Sequence, residues 1–433
     1  MTPRWSLVRS LRTVAFKDRQ AFRQQMFAYL ASHDRTVRSV LAVHKRLRGT
    51  PLSAAALTLY GLRAYAGMSA PRPSPIWAVS EYRNERRQFD ALRALVPQGS
   101  IGDLGVGKRD ALTLESLRSV ARLLTHRGAL RSLWRLVRRH DRDDGFLVAA
   151  RTAACFGRAL RTGELLDRHG AKAVLVSSDS NPPAMGAIAA ARARGLKVAY
   201  VTHGHLPEGP PPLDVDLALL DGPALLGVYE RAGPVRARVV FKGAEGDYRP
   251  LATAGLGRPA PVLGVFMSIL VDWPRAYALL GRLRAALRPR RIVLRLHPNT
   301  VIRDPASRRL VPDWPELVVS DGATILTDDA GPCDLVIAGS SSCHLTLLRY
   351  GVPTAVVRGL DAMPHDFYRF VESRIVPELS PDSPDLAGIG AFYADPSWRT
   401  RFRGFDATYP TTDGGDPDDP APALRAALAE LLA

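Results

Sequence analysis

Residues 335–351 read LVIAGSSSCHLTLLRYG: an apolar run, a glycine with three serines, and a helix-like stretch that stops at a second glycine. Leu335–Ala338 is a short apolar run of the kind that forms a buried strand. Ser341–Tyr350 has the apolar spacing of a helix, and Gly351 suits the position after a helix end. A strand that turns directly into a helix is the unit of parallel α/β sheets, so the stretch predicts an α/β fold.

The same unit recurs on both sides of this stretch. The predicted strands are Ile76–Val79, Ala173–Ser177, Lys197–Val201, Leu217–Leu220, Val239–Phe241, Val262–Phe266, Arg291–Leu296, Leu317–Ser320, Leu335–Ala338 and Thr354–Val357. Helical patterns such as Ala184–Arg194 and Pro274–Leu287 separate them, which favours parallel sheets. Residues 250–261 are rich in Gly, Pro and Ala and predict a linker, so the pattern divides into two Rossmann-like domains that face a cleft.

Chain length and composition predict the domain organisation. The 433 residues are enough for two domains with full cores. We expect a basic helical extension in residues 1–70 and a first Rossmann-like domain in residues 71–250. A second Rossmann-like domain is expected in residues 258–405, followed by an acidic loop and a closing helix in residues 406–433.

The chain is strongly basic, with 59 Lys and Arg against 42 Asp and Glu and a net charge of +17. Such a charge suits nucleic acid, an anionic membrane surface or phosphorylated small molecules. Aromatic residues make up only 7% of the chain and no DNA- or RNA-binding signature occurs, so we expect no nucleic acid partner. Two interpretations of the basic residues 1–70 stay open: an amphipathic helix on anionic lipid, or a helical layer packed on the main domain with a solvated basic face.

The cysteine content and the absence of long apolar runs predict a cytoplasmic protein. We extend this prediction to a peripheral position at the inner face of the cytoplasmic membrane. The three cysteines are odd in number and lack metal-site spacing, which argues for a reducing compartment. No apolar run reaches the roughly 18 residues that a transmembrane helix needs. The N-terminus lacks the continuous apolar core of a signal peptide.

Gly339, Ser340, Ser341 and Ser342 form the first candidate site. They follow the carboxyl end of a predicted strand, which is where α/β sheets bind ligands. The next helix would present unpaired N–H groups and the positive end of its dipole, and the hydroxyls add donors. These groups suit a phosphate or diphosphate, although a single serine would be a simple helix cap.

Arg295 and His297 form the second candidate site, directly before Pro298. Two residues apart at a strand end, they share one face of the strand. Pro298 fixes the turn and keeps His297 out of the helical region. The guanidinium would stabilise charge on a leaving phosphate, and the imidazole would donate to it.

His203, Gly204 and His205 form the third candidate site, after the strand Lys197–Val201. Gly204 allows a ligand to approach closely, and the imidazole of His203 is a side chain that can act as a general base. Two histidines without a third ligand make a weak zinc site, so we expect no metal. Asp179 follows the preceding strand and either lines the same cleft on the acceptor side or caps a helix.

These three segments resemble motifs of GT-B-fold transferases of bacterial surface polysaccharides, in particular CDP-glycerol glycerophosphotransferases and the sialyl- and Kdo-transferases that use CMP-sugars. In those enzymes a His-Gly motif ends a strand of the N-terminal domain, as His203 and Gly204 do here. An Arg-x-His-Pro motif and a Ser-rich helix start hold the nucleotide phosphates in the C-terminal domain, and residues 295–298 and 340–342 match them. The resemblance covers roughly residues 170–360 and rests on the order and spacing of these short motifs.

One further segment matches a motif of these enzymes in residue types but not in structural context. The sialyltransferases carry their catalytic base in an acidic-acidic-Gly motif, and Asp143, Asp144 and Gly145 have this spelling. Because these residues follow a predicted helix rather than a strand, we expect a turn with a capping carboxylate and do not assign Asp144 as the base.

The resemblance implies a metal-independent glycosyltransferase with an acceptor-binding first domain and a nucleotide-binding second domain, and with no cofactor besides its donor. It would move a sugar or a polyol phosphate from a CMP- or CDP-linked donor to a glycan or lipid-linked acceptor in capsule or lipopolysaccharide synthesis. His203 would orient or deprotonate the acceptor hydroxyl, and protein cations would replace a metal. Two alternatives stay open: a nucleotide-sugar epimerase of the same fold, and a non-catalytic nucleic-acid-binding or scaffold protein.

Overall fold

The computed structural model describes residues 3–33, 35–69, 73–106, 127–244, 246–297, 309–320, 322, 324–412 and 414–432. Within these ranges two largely parallel sheets, each with its own helices, form two domains. The prediction of an α/β protein with two Rossmann-like domains is therefore confirmed. None of the helices in these ranges combines the length and the apolar composition that a membrane crossing needs.

The first sheet consists, in the described residues, of Met68–Ser69 (β1), Ile76–Val79 (β2), Ile101–Val106 (β3), Ala173–Val176 (β4), Lys197–Val201 (β5), Leu217–Leu220 (β6) and Arg238–Phe241 (β7). The strand order is β1-β3-β2-β4-β5-β6-β7, and β2 to β7 run parallel. Because β3 lies on one side of β2 and β4 on the other, the order changes direction between β2 and β4. Gly102 and Gly105, whose spacing predicts a turn, instead lie inside β3, and Gly107 is outside the described residues.

Helices cover the first sheet and extend beyond it. They span Pro3–Arg19 (α1), Ala21–His33 (α2), Arg35–Leu47 (α3), Pro51–Ala66 (α4), Arg83–Arg93 (α5), Arg127–Asp143 (α6), Phe146–His169 (α7), Pro182–Arg192 (α8) and Pro223–Ala232 (α9). α1 packs on α7 and α8, and its Leu11 and Val14 are buried in the core. α1 therefore packs on the first domain through one side, while Trp5 and Phe16 on the same helix stay exposed. The sequence of residues 112–140 predicts a helix through its spaced leucines, and the structure describes this helix from Arg127 onward.

The second sheet consists of Val262–Phe266 (β8), Arg291–Arg295 (β9), Leu317–Ser320 (β10), Leu335–Ala338 (β11) and Thr354–Val356 (β12). Its helices span Trp273–Leu287 (α10), Leu326–Ala330 (α11), Cys343–Arg349 (α12), Leu386–Ala394 (α13) and Ser397–Arg403 (α14). The sheet is parallel, with the order β10-β9-β8-β11-β12. If the five strands of this sheet are numbered in chain order, they lie side by side as 3-2-1-4-5. The strand order therefore changes direction between β8 and β11, which is where nucleotide-binding sheets place their ligand.

The C-terminal helix, Ala421–Leu432 (α15), returns to the first domain. Its Leu424 and Leu428 are buried in one cluster with Ile76 of β2 and Phe89 of α5. The closing helix expected from the sequence therefore covers the face of the first sheet opposite α7 and α8.

Candidate functional site

A cavity of about 310 Å³ lies between the two domains, where the carboxyl ends of both sheets meet. The residues from the three predicted motifs that line it are His203, Gly204, His205, Arg295, His297, Ser341 and Ser342. We call this cavity the cleft, the side formed by the first domain the first wall and the side formed by the second domain the second wall. The structure thus brings together segments that are up to about 140 residues apart in the sequence.

His203 lies on the first wall, two residues beyond the end of β5. Its Nδ1 is within hydrogen-bonding distance of the Ser177 carbonyl oxygen and 3.1 Å from Ser177 Oγ. A carbonyl oxygen can only accept, so in the neutral ring Nδ1 carries the proton and Nε2 keeps its lone pair. An imidazole held in this tautomer is prepared to take a proton at Nε2.

Glu85 is a buried carboxylate that interacts with His203. Its Oε2 accepts hydrogen bonds from the backbone N–H groups of Glu81, at 2.6 Å, and Tyr82, at 3.1 Å, and its Oε1 accepts from Asn181 Nδ2 at 3.3 Å. Burial raises the pKa of Glu85, while the backbone donors and His203 oppose the rise. Glu85 thereby joins the loops after β2 and β4, where the strand order of the first sheet changes direction.

Asp221 and Lys242 are first-wall residues that sequence reasoning missed. Lys242 Nζ donates to Asp221 Oδ1 at 2.6 Å and to the Gly243 carbonyl at 3.2 Å. The side chains are only 9% (Lys242) and 5% (Asp221) exposed, so this ion pair is largely desolvated. Burial raises the pKa of Asp221, whereas Lys242 and His203 lower it. Each residue directly follows a strand, β6 or β7, which is the signal that could have found them.

Arg295, the last residue of β9, is held within the second wall. Its guanidinium donates to the carboxylate of Asp329, to Thr324 Oγ1 at 2.9 Å and to the Thr324 carbonyl at 2.8 Å. Its side chain is 11% exposed and lines the cleft. Asp329 therefore offsets part of the positive charge of Arg295. This is the charge that, from the sequence, we expect to stabilise a leaving phosphate.

His297 reaches the cleft in its neutral form. Burial, followed by the charge of Arg295, lowers the pKa of His297 to about 4. A neutral imidazole donates one hydrogen bond at most and adds no positive charge at neutral pH. Pro298, which is expected to fix the turn after His297, lies outside the described residues.

Ser340 and Gly339 do not line the cleft, which corrects the expectation that all four residues of the motif bind the phosphate. Ser340 Oγ donates to the Pro364 carbonyl at 2.9 Å and accepts from the Phe367 N–H at 3.3 Å. With Gly339 it lines a neighbouring cavity of about 250 Å³. Because its hydroxyl is bonded to the loop after β12, Ser340 positions that loop.

Ser341 and Ser342 are the two serines on the second wall. Ser341 Oγ accepts from the Cys343 N–H at 3.3 Å, and the Tyr368 hydroxyl is hydrogen-bonded to Ser342. α12 begins at Cys343, two residues later than predicted, so both serines belong to the turn after β11. His344 packs inward and is fully buried, with its ring nitrogens 3.0 Å from Thr354 Oγ1 and the Gly339 carbonyl.

The first and second walls approach each other at Gly204. A Cβ placed on Gly204 would lie 3.8 Å from Ser342 Oγ, so the two loops are nearly in contact. His205 is buried beside this point, with its ring centroid 5.5 Å from that of Phe370 and 5.0 Å from that of Phe405. Burial lowers the pKa of His205 to about 3, which keeps the ring neutral among aromatic neighbours.

Asp179 lies outside the cleft, which corrects its assignment to the acceptor side. Its Oδ2 accepts from the Tyr229 hydroxyl at 3.1 Å, and it lines a separate cavity of about 30 Å³. It does not cap α8 either, because Asn181 Oδ1 accepts from the Ala184 N–H at 2.8 Å.

The Asp143–Gly145 segment is the turn expected from the sequence. Arg19 donates to both carboxylate oxygens of Asp144, at 2.7 and 2.8 Å, and His140 Nδ1 lies 2.6 Å from the same carboxylate. The bond to Arg19 is the main cause that lowers the pKa of Asp144 to about 2. This carboxylate joins α1 to the turn between α6 and α7 and does not line the cleft.

Comparisons with known proteins give structural likeness only. Neither known protein families nor curated protein sequences provide a match. The chain aligns with the UDP-GlcNAc 2-epimerase of Neisseria meningitidis at 11% identity over 82% of this chain and 99% of that one, with a TM-score of 0.47. It aligns with a kitacinnamycin glycosyltransferase at 16% identity over 84% and 100%, with a TM-score of 0.48. A calicheamicin glycosyltransferase aligns at 15% identity over 83% and 98%, with a TM-score of 0.43.

Proposed function

We propose that this protein is a GT-B-type glycosyltransferase that moves a sugar or a polyol phosphate from a CMP- or CDP-linked donor to a glycan or lipid-linked acceptor in bacterial surface polysaccharide synthesis. The observation that carries the proposal is the cleft, where a histidine with a fixed tautomer lies in the same cavity as Ser341 and Ser342 of the other domain. The cytidine donor and the pathway rest on the resemblance of the three motifs.

The second wall is suited to the donor. The cleft lies at the change of strand direction between β8 and β11, the position at which sheets of this order bind nucleotides. The hydroxyls of Ser341 and Ser342 can donate to phosphate oxygens, and Arg295 supplies a partly offset positive charge. A cleft of about 310 Å³ is of the size that takes a small polar ligand.

The first wall is suited to the acceptor. His203 Nε2 would remove the proton of an acceptor hydroxyl while that oxygen forms a bond to the sugar carbon of the donor, or to phosphorus if a polyol phosphate moves. The bond from that atom to the nucleotide phosphate oxygen breaks, and the electron pair leaves with the nucleotide. Asp221 and Glu85, both near His203, would stabilise the imidazolium that forms.

In this proposal, side chains of the protein, and not a metal ion, neutralise the charge of the leaving phosphate. Arg295 and Lys242 both line the cleft, and together they would balance charge on the leaving phosphate. The proposal therefore predicts that transfer continues in the presence of a chelator of divalent cations.

A thermal-shift screen with CMP, CDP, UDP, GDP and their sugar conjugates tests the donor class, because a ligand that binds only the folded state raises the melting temperature. We expect a shift with CMP or CDP that disappears in His297→Ala and persists in His169→Ala, a matched half-buried histidine outside the cleft. Labelled donor and acceptor glycan then test transfer directly.

The same experiment separates the alternatives. A shift confined to uridine nucleotides, with turnover of a UDP-sugar in the absence of any acceptor, would replace the transferase with the epimerase. A shift with none of the nucleotides would contradict both enzymes and favour the binding protein.

A further inference from the structure

The outward sides of α3, α4 and α6 form one surface, which we call the α3–α4–α6 face. α4 and α6 pack on each other and both pack on α7, so their outer sides point away from the first sheet together. The end of α3 is joined to α6, because His44 Nε2 lies 2.5 Å from Asp141 Oδ1 and the Gly49 N–H donates to Asp141 Oδ2 at 2.7 Å.

The α6 part of this face is a stripe of arginines. Arg131, Arg135, Arg138 and Arg142 recur at the spacing of one helix side, and Leu133 is buried on the other side. Among the described residues, no carboxylate lies within 4.0 Å of Arg131, Arg135 or Arg138, whereas Arg142 pairs with a neighbouring aspartate. Three guanidinium groups are therefore left for an anionic partner.

The α3 and α4 parts combine further positive charge with exposed apolar side chains. Neither helix contains Asp or Glu, and exposed Arg38, Lys45, Arg46 and Arg63 lie on them. The exposed apolar side chains, between 46% and 64% accessible, are Val40, Val43, Leu52, Leu59 and Tyr60. Leu52 and Leu59 are seven residues apart and share one side of α4.

Exposed apolar side chains among unpaired cations match the chemistry of an anionic bilayer, in which headgroups attract the cations and the acyl boundary accepts the apolar groups. A nucleic acid would use the cations but would leave Leu52, Leu59 and Val43 in water. Soluble proteins rarely carry such apolar groups together without a partner.

We propose that the α3–α4–α6 face docks this protein on an anionic membrane surface. The assignment extends membrane contact beyond residue 70 to α6. It does not depend on the transferase activity.

Flotation of the full-length chain with lipid vesicles tests the proposal, with phosphatidylglycerol mixed into phosphatidylcholine at about one third and with pure phosphatidylcholine as the comparison. One variant reverses the stripe (Arg131→Glu, Arg135→Glu, Arg138→Glu). Its matched control makes the same charge change at exposed arginines elsewhere (Arg290→Glu, Arg291→Glu, Arg425→Glu). A third variant, Leu52→Ser with Leu59→Ser, removes only apolar surface.

We expect binding to the anionic vesicles alone, a loss of about tenfold or more in the stripe variant, and a much smaller loss in the control. The Leu52→Ser, Leu59→Ser variant should also bind more weakly, especially at about 0.5 M salt, where screening weakens the charge contribution. Equal losses in the two arginine triples, no flotation of the unaltered chain, or unchanged binding of the leucine variant would each overturn the proposal. All substituted side chains are exposed, so matching melting temperatures would verify folding.

Discussion

The two walls of the cleft are built from three neighbouring strands each, yet they hold their charged groups differently. On the first wall, His203, Asp221 and Lys242 follow β5, β6 and β7, and their charges influence one another. On the second wall, Arg295 ends β9 and is already bonded to Asp329, while the loop after β11 offers neutral hydroxyls. In the proposed reaction the first wall would move a proton, and the second would hold an anion without changing protonation.

The largest expected effect is on turnover at the first wall. His203→Ala should lower transfer by about 10³-fold, because a positioned general base contributes roughly that much. The nucleotide-induced thermal shift should remain, since His203 is not among the residues that we assign to the donor. The measurement pairs transfer kinetics with the thermal shift. Loss of the shift with transfer intact would reverse the roles of the two walls.

The next effect is on stability. Lys242→Met leaves the carboxylate of Asp221 buried without its partner, and removal of one member of such a pair costs about 3 kcal/mol. Urea unfolding should show this decrease in the free energy of unfolding. The double variant Asp221→Leu, Lys242→Met should recover a large part of it, because no unpaired charge remains.

If both variants lose the same stability, the pair does not act as a coupled unit and the contrast between the walls weakens. Arg295→Met offers the parallel test on the second wall, where Asp329 keeps its bonds to Ser320 and Thr324 and the loss should be smaller.

A pH dependence of stability should arise on both walls. The pKa values of His205 and His297 are lowered, mainly by burial, to about 3 and about 4, and that of His344 behind the second wall to about 4. Below pH 6.5 these three histidines bind protons in the unfolded chain, whereas the same rings stay unprotonated in the folded protein. Stability should therefore fall as pH decreases from 6.5 towards 4, by up to about 1.4 kcal/mol per pH unit for each ring.

Asp361 works in the opposite direction, because burial raises its pKa to about 6 and the folded chain then holds the proton more tightly. Urea unfolding at pH 7, 6 and 5 gives the net slope. His205→Gln and His297→Gln should each make it shallower, and an unchanged slope in both would show that these rings are charged in the folded protein.

The smallest expected effect should distinguish two serines that lie two residues apart, Ser340 and Ser342. Ser342→Ala should weaken nucleotide binding by about fivefold, the equivalent of one neutral hydrogen bond. Ser340→Ala should leave binding nearly unchanged, because its hydroxyl is bonded to the loop after β12 instead. Titration calorimetry measures both. Equal losses would show that Ser340 also reaches the donor.

The regular parts of the fold were predictable because buried parallel strands are short apolar runs between helices. Strands such as Ile76–Val79 and Leu335–Ala338 have the bounds predicted from the sequence. β3 was missed because Gly102 and Gly105 interrupt its apolar pattern. The helices Leu386–Ala394 and Ser397–Arg403 were also missed, since packing around Trp398 and Tyr393 stabilises them rather than any strong periodicity.

The sequence predicted some, but not all, of the residues that form the candidate site. Strand ends located His203, Arg295, Ser341 and Ser342 in the cleft, because parallel strands deliver their carboxyl ends to one edge. The same rule misplaced Asp179, since a loop can turn its side chains to either side of that edge. The bond from Arg295 to Asp329 joins positions 34 residues apart, and no local pattern encodes it.

The return of α15 to the first domain has a consequence for the order in which the chain is made. The ribosome completes β7 about 190 residues before it reaches Leu432, an interval of roughly 20 s at typical rates of synthesis. During that interval Ile76, Phe89 and their neighbours lack their final cover, while the second domain can already fold. The domain made first is therefore the one finished last, and a nascent chain released before Ala421 would expose an apolar sheet face that invites aggregation.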